Sequence, residues 1–101
     1  MDKFVLAKVH WVPPEQGGRT SLPAGKTYAT VSRFQEDTEA WLQEVWSIVL
    51  EFDESPMAQG NPSMARARFL AEKAPVARLQ PGRTLELYEG KQKVAMVEIV
   101  E

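Results

Sequence analysis

Thr84-Leu85-Glu86-Leu87-Tyr88-Glu89-Gly90-Lys91-Gln92-Lys93-Val94-Ala95-Met96-Val97 reads as a strand, a turn and a returning strand. Leu85 and Leu87 point one way while Thr84, Glu86 and Tyr88 point the other, the period of two that a half-buried strand requires. Glu89-Gly90-Lys91-Gln92 supplies a hairpin loop, and Ala95, Val97 and Ile99 form the inward face of the last strand.

The same alternation extends through most of the chain. Val5, Ala7, Val9 and Trp11 share one strand face, with Lys8 and His10 on the other, until Pro13-Pro14 ends the ladder. Gly17-Gly18 allows a wide turn. After a loop shaped by Pro23 and Gly25, a second strand is expected from Thr27 to Phe34. Pro56, Gly60, Asn61 and Pro62 mark a loop, and Met64 to Phe69 reads as a strand with Ala65, Ala67 and Phe69 inward and Arg66 and Arg68 outward. Ala74-Pro75 through Pro81-Gly82 is a connection. Residues 37–52 admit two readings. Asp37 or Thr38 caps a helical turn before a strand alternating Trp46, Ile48, Leu50 and Phe52, or one helix aligns residues 41, 45, 49 and 52. About six short strands joined by Gly/Pro turns predict an all-β fold, an antiparallel barrel or sandwich.

With 101 residues, 44% apolar and 26% charged, the chain has the makings of one globular domain, residues 1–101, without cross-links. It has no cysteine, which excludes disulfides, thiol chemistry and Cys-based zinc sites. No stretch reaches the ~20 apolar residues of a membrane-spanning helix, and the N-terminal apolar run is too short for a signal peptide. The expectation is a cytoplasmic protein that does not engage membranes. Net charge is −2 but unevenly placed: +3 over residues 1–33, −7 over 34–65 and +2 over 66–101. The middle segment holds seven acids (Glu36, Asp37, Glu39, Glu44, Glu51, Asp53, Glu54) and no Lys or Arg. It reads first as a solvated surface and second as an acidic patch for a basic partner. The balance is not the basic footprint of a general nucleic-acid binder.

Ala24-Gly25-Lys26-Thr27 ends like a phosphate-binding loop, but Thr20 stands where such a loop needs its first glycine, and a strand is expected to follow rather than a helix. No nucleotide is expected. His10, the only histidine, has no nucleophile and carboxylate at a spacing that suggests a triad. Asp53-Glu54 and Glu36-Asp37 lack a calcium-loop pattern. The chain is therefore expected to be no enzyme, with no catalytic residue, cofactor or metal site. Trp11 and Trp46 fall on apolar faces and read as core, whereas Trp41, in the acidic segment, reads first as core or helix packing and second as a partner anchor. Arg66 and Arg68 form a small cationic stripe, with Arg78, Arg83, Lys91 and Lys93 near it if the last strands are neighbours. The first reading is a solubilising surface and the second a phosphate contact.

Glu15 with Gly17-Gly18-Arg19, then Gly25 and Tyr28, then Glu89-Gly90 with its Val-Ala continuation, stand in an order and spacing that resemble the third, C-terminal β-barrel domain of elongation factor Tu. The likeness covers about residues 3–100 and brings no GTPase domain with it. It implies a six-stranded antiparallel β-barrel, which favours one short helical segment around 38–45 followed by a strand through 52. It also implies contact with the T-arm of tRNA through an Arg-Glu-Gly turn, matched here by Glu89 and Gly90 but with Tyr88 in place of the arginine. Lys26-Thr27 is inserted before Tyr28, with no Arg-Pro after it, and the acidic segment with Trp41 is foreign to that family. Losing the arginine weakens a phosphate contact, although a tyrosine can stack on a base. The expected function is a non-catalytic interaction module for a protein partner, with Trp41 as its contact. The alternative is an RNA-binding module using Arg66, Arg68, Glu89 and Gly90, with Tyr88 stacking.

Overall fold

The computed structural model describes residues 4–34, 37 and 45–100. Six strands close into an antiparallel barrel: β1 (Val5–Trp11), β2 (Thr27–Phe34), β3 (Trp46–Glu51), β4 (Ser63–Phe69), β5 (Thr84–Glu89) and β6 (Gln92–Ile99). Around the barrel the order is β1-β4-β3-β2-β5-β6. Closure leaves no free strand edge to add to. Strand existence and inward faces agree with the sequence reading, and β2 spans the expected Thr27–Phe34. Of the helical segment expected around 38–45, residues 38–44 lie outside the described residues, and Val45 directly precedes β3.

A six-stranded barrel has a narrow interior, so large inward side chains on every strand would collide. The chain meets this by placing Ala7, Ala65, Ala67 and Ala95 on the contiguous strands β4, β1 and β6. Ala7 and Ala65 are paired in register. Ile48, Leu50, Phe34, Leu85 and Leu87, from β3, β2 and β5, fill the space they leave. Polar groups inside this wall are satisfied locally. The Ser32 hydroxyl donates to the Trp46 carbonyl at 2.6 Å, and the Thr30 hydroxyl donates to the carbonyl of Tyr88.

Two local features depart from the sequence reading. Residues 56–62 were expected as loop, yet Pro56–Gln59 forms one helical turn, α1, whose Ser55 hydroxyl accepts from the Ala58 N–H at 3.2 Å. Ser before Pro is a helix-start signal, here followed so soon by Gly60 and Pro62 that breakers dominate the pattern. The last hairpin is also tighter than expected. Leu87 pairs with Ala95 but Tyr88 with Lys93, so Val94 is an extra, buried residue in β6. That bulge brings Glu89 opposite Gln92 across a two-residue Gly90-Lys91 turn. Gly90 has φ 63°, at the position a type II′ turn reserves for glycine.

Candidate functional surface

Three stretches far apart in sequence meet at one end of the barrel. A 3-10 turn at Pro14–Gln16 leads β1 into Gly17 and Gly18, and the Gln92 side-chain amide donates to both glycine carbonyls at 2.7 and 3.0 Å. Gly18 is required by contact: a Cβ there would lie 1.8 Å from the Val12 carbonyl oxygen. The loop thus delivers Arg19 to Glu89, with Nη1 2.5 Å from Oε2, while the Tyr28 hydroxyl donates to the same oxygen. Arg19 also lies 5.5 Å from the centre of the Tyr28 ring, whose other neighbour is Trp11, edge-on at 5.5 Å. The Trp11 indole N–H donates to Ser63 Oγ at 3.0 Å, and that hydroxyl donates to the Gly60 carbonyl.

The electrostatics of this cap are those of a committed ion pair. Burial would raise the Glu89 pKa, but the hydrogen bonds from Tyr28 and Arg19 and the charge of Arg19 outweigh it, leaving the carboxyl below its ordinary value. Burial, then the hydrogen bond to Glu89 and its charge, push the Tyr28 phenol upward. The hydrogen bond to Glu89 likewise raises Arg19. A phenol moved up and a carboxylate held by two donors are poorly suited to proton transfer near neutrality. The cluster locks the 17–19 loop to the β5–β6 hairpin.

The other predicted site residues do not assemble into one surface. In the strand order, β4 and β5 are three places apart by either route, so Arg66 and Arg68 stand on the opposite side of the barrel from Tyr88, Glu89 and Gly90. β4 is flanked by β1 and β3, so Lys91 and Lys93 on the last hairpin do not extend its stripe. Lys93 instead meets Glu86 at 2.8 Å, and Arg78 meets Asp37 at 3.2 Å. Tyr88 points outward, its hydroxyl 3.3 Å from Glu86. Arg66 is held by Asp53 at 2.8 Å, with Glu51 at 4.0 Å. The hydrogen bond and charge of Asp53 raise its pKa further. Trp41 lies outside the described residues. Lys26 is exposed, and Thr27 opens β2 rather than a helix. His10 is exposed beside Glu98, at 3.8 Å.

What sequence reading missed is the seam between β1 and β4. Seven large hydrophobic side chains are exposed among the described residues; Phe4, Leu6 and Met64 lie along this seam, and Leu70 and Val76 line a groove at its Phe69 end. Leu6 is opposite Arg66 in register and lines, with Met64, a shallow groove of about 350 Å³ whose wall carries Glu51, Asp53 and Glu54. Further along, Leu70 and Val76 line a second groove of about 730 Å³, with Val5, Phe69 and Arg68. Arg68, on the wall of this second groove, lies 5.5 Å from the Phe4 ring. The signal was available in the alternation itself: Leu6 and Met64 occupy outward positions where β1 and β4 elsewhere carry charge or histidine.

Among the described residues no group of three or more His, Cys, Asp or Glu converges on a possible metal position, and no helix is long and apolar enough to cross a membrane. No protein-family model matches the chain, and no curated protein matches it in sequence.

Proposed function

We propose that this barrel is a non-catalytic interaction module that binds a protein partner through the β1–β4 seam. The observation that carries the reading is the gathering of five exposed large hydrophobic side chains on one side of the barrel, bordered by charged residues. Monomeric surfaces seldom cluster apolar groups this way unless something covers them. The cationic stripe favours RNA less than its sequence suggested, because Asp53 and Glu51 neutralise Arg66 and Tyr88 faces away on the far side. The Trp41 segment belongs to the same protein-binding reading as a second contact. The inherited tRNA role implied by the resemblance to the elongation factor Tu third domain is the competing outcome.

The test pairs two measurements on wild type and on a Leu6→Ser/Leu70→Ser variant. Quantitative co-purification is expected to yield a protein that wild type retains and the seam variant loses, with Trp41→Ala weakening it further. Titration with bulk tRNA near physiological salt, followed by tryptophan fluorescence, is expected to show no saturation. Saturable tRNA binding that falls steeply with salt and with Arg66→Ala plus Arg68→Ala would replace this reading with the RNA one.

A further inference from the structure

The seam is charged differently at its two ends, and that difference specifies what it takes. At the Met64 end, Glu51, Asp53 and Glu54 stand around the groove with Arg66 alone against them, a net −2. At the Phe69 end the groove is lined by one cation, Arg68, and one acid, Glu72, which form no ion pair with each other. Among the described residues Arg68 meets no carboxylate. Its Nη1 reaches only the Phe69 carbonyl at 3.3 Å, and its Nε is buried without a hydrogen-bond partner. Between these poles run Leu6, Phe4 and the apolar floor of Val5 and Phe69. Lys8, the next outward residue of β1, stands in register between Met64 on one side and Glu98 on the other, outside the lining of the groove.

We propose that the seam accepts a peptide segment of ordered charge: basic at the end that meets Glu51, Asp53 and Glu54, apolar in the middle, and carboxylate-bearing at the end that meets Arg68. This rests on the protein-binding reading above and specifies its partner. Met64 and Arg68 are four residues apart on β4, roughly 13 Å at ~3.3 Å per residue, so about four or five extended residues bridge the poles. Because the closed barrel offers no edge, the segment is held by its side chains and not by adding a strand. A carboxylate beside Arg68 gains a guanidinium that is in no ion pair, and a lysine or arginine at the other pole answers three carboxylates.

The experiment uses four fluorescein-labelled, end-blocked decapeptides, the first three of identical composition. Two carry a pair of lysines at one end, a Leu-Val-Phe-containing middle and a pair of glutamates at the other, in opposite chain directions. A third interleaves the same charges, and a fourth replaces the two glutamates by glutamines. Anisotropy titration of the intact protein is expected to show one ordered peptide binding at least about fivefold tighter than the interleaved one. The glutamine peptide should lose roughly three- to fivefold, the size of a partly exposed ion pair, and Arg68→Gln should lose the same amount without adding to it. The peptide substitution tests the contact even if Arg68→Gln perturbs folding. Equal binding of ordered and interleaved peptides, lost in Leu6→Ser/Leu70→Ser, would overturn the charge order while leaving the seam as a protein-binding surface. No binding by any peptide would overturn the inference outright, with the co-purification result then judging the broader reading by itself.

Discussion

If Glu89 is the common acceptor that fastens the Arg19 loop to the barrel, removing one donor should weaken the other contact measurably. Tyr28→Phe deletes one hydroxyl, and Glu89→Gln keeps an acceptor but removes its charge. A hydrogen bond to a charged group contributes about 1.5–3 kcal/mol when buried. The Glu89 side chain is 35% exposed and that of Arg19 is 30% exposed, so screening reduces this to about 1–2 kcal/mol. For a domain of this size that corresponds to a fall in Tm of roughly 5–12 °C for Tyr28→Phe. The double variant should cost less than the sum of the singles, with a coupling of about 1 kcal/mol measured by urea unfolding. The pH dependence has a definite sign. Glu89 is lowered in the fold, so its contribution is present above the unfolded carboxylate range, about pH 4.3, and fades as pH falls through the folded value. Tyr28 is raised, so its contribution is fully present below about pH 10 and declines as pH rises from there toward the folded value. Tyr28→Phe should abolish that alkaline decline and shrink the acid-side loss, which Arg19 still sustains in part. A coupling below about 0.3 kcal/mol, together with an unchanged alkaline limb, would refute the idea that the three side chains act as one lock.

Three further substitutions probe the same end of the barrel. Gly18→Ala drives a methyl group into the Val12 carbonyl, 1.8 Å away, while the Val12 N–H is fixed to Val94 at 2.9 Å; it should cost about 3 kcal/mol or more by urea unfolding. Gly17→Ala, with φ 92° and open space around it, should cost only about 1–2 kcal/mol, and the reverse ranking would contradict the close approach. Ser63→Ala leaves the buried Trp11 indole N–H and the Gly60 carbonyl without their shared partner, a loss of about 1–3 kcal/mol by the same measurement. A change under about 0.5 kcal/mol would show that Ser63 is not the indole's structural acceptor.

How much of this was legible in sequence depended on whether a residue's role was local. Inward faces of β1, β4, β5 and β6 follow from alternation because each strand buries one side. β2 was legible in extent, yet its inward row of Tyr28, Thr30, Ser32 and Phe34 is mostly polar, and what satisfies those hydroxyls comes from other strands. The residue types of the Arg19–Tyr28–Glu89 cap stood out, but that one carboxylate oxygen serves both donors depends on a bulge at Val94 that no local pattern announces. α1 was hidden because its start signal and its breakers fall within a few residues of one another.

The strand order explains why the predicted surface came apart. Counting along the chain makes β4 and β5 consecutive, so Arg66 and Tyr88 look like neighbours; pairing β1 with β4 and β2 with β5 sends them to opposite sides. The same pairing creates the seam. Leu6 and Met64 are single exposed apolar residues in their own strands, unremarked when read one at a time, and become a patch only when β1 and β4 are joined. Where charges are already committed to one another, as at Glu89, substitution should be felt as lost stability. Along the seam, where apolar groups are exposed and Arg68 is in no ion pair, substitution should leave stability nearly unchanged and alter binding. A Leu6→Ser/Leu70→Ser variant that unfolded more easily than Tyr28→Phe would reverse this division, and would mean that the seam serves the barrel itself and not a partner.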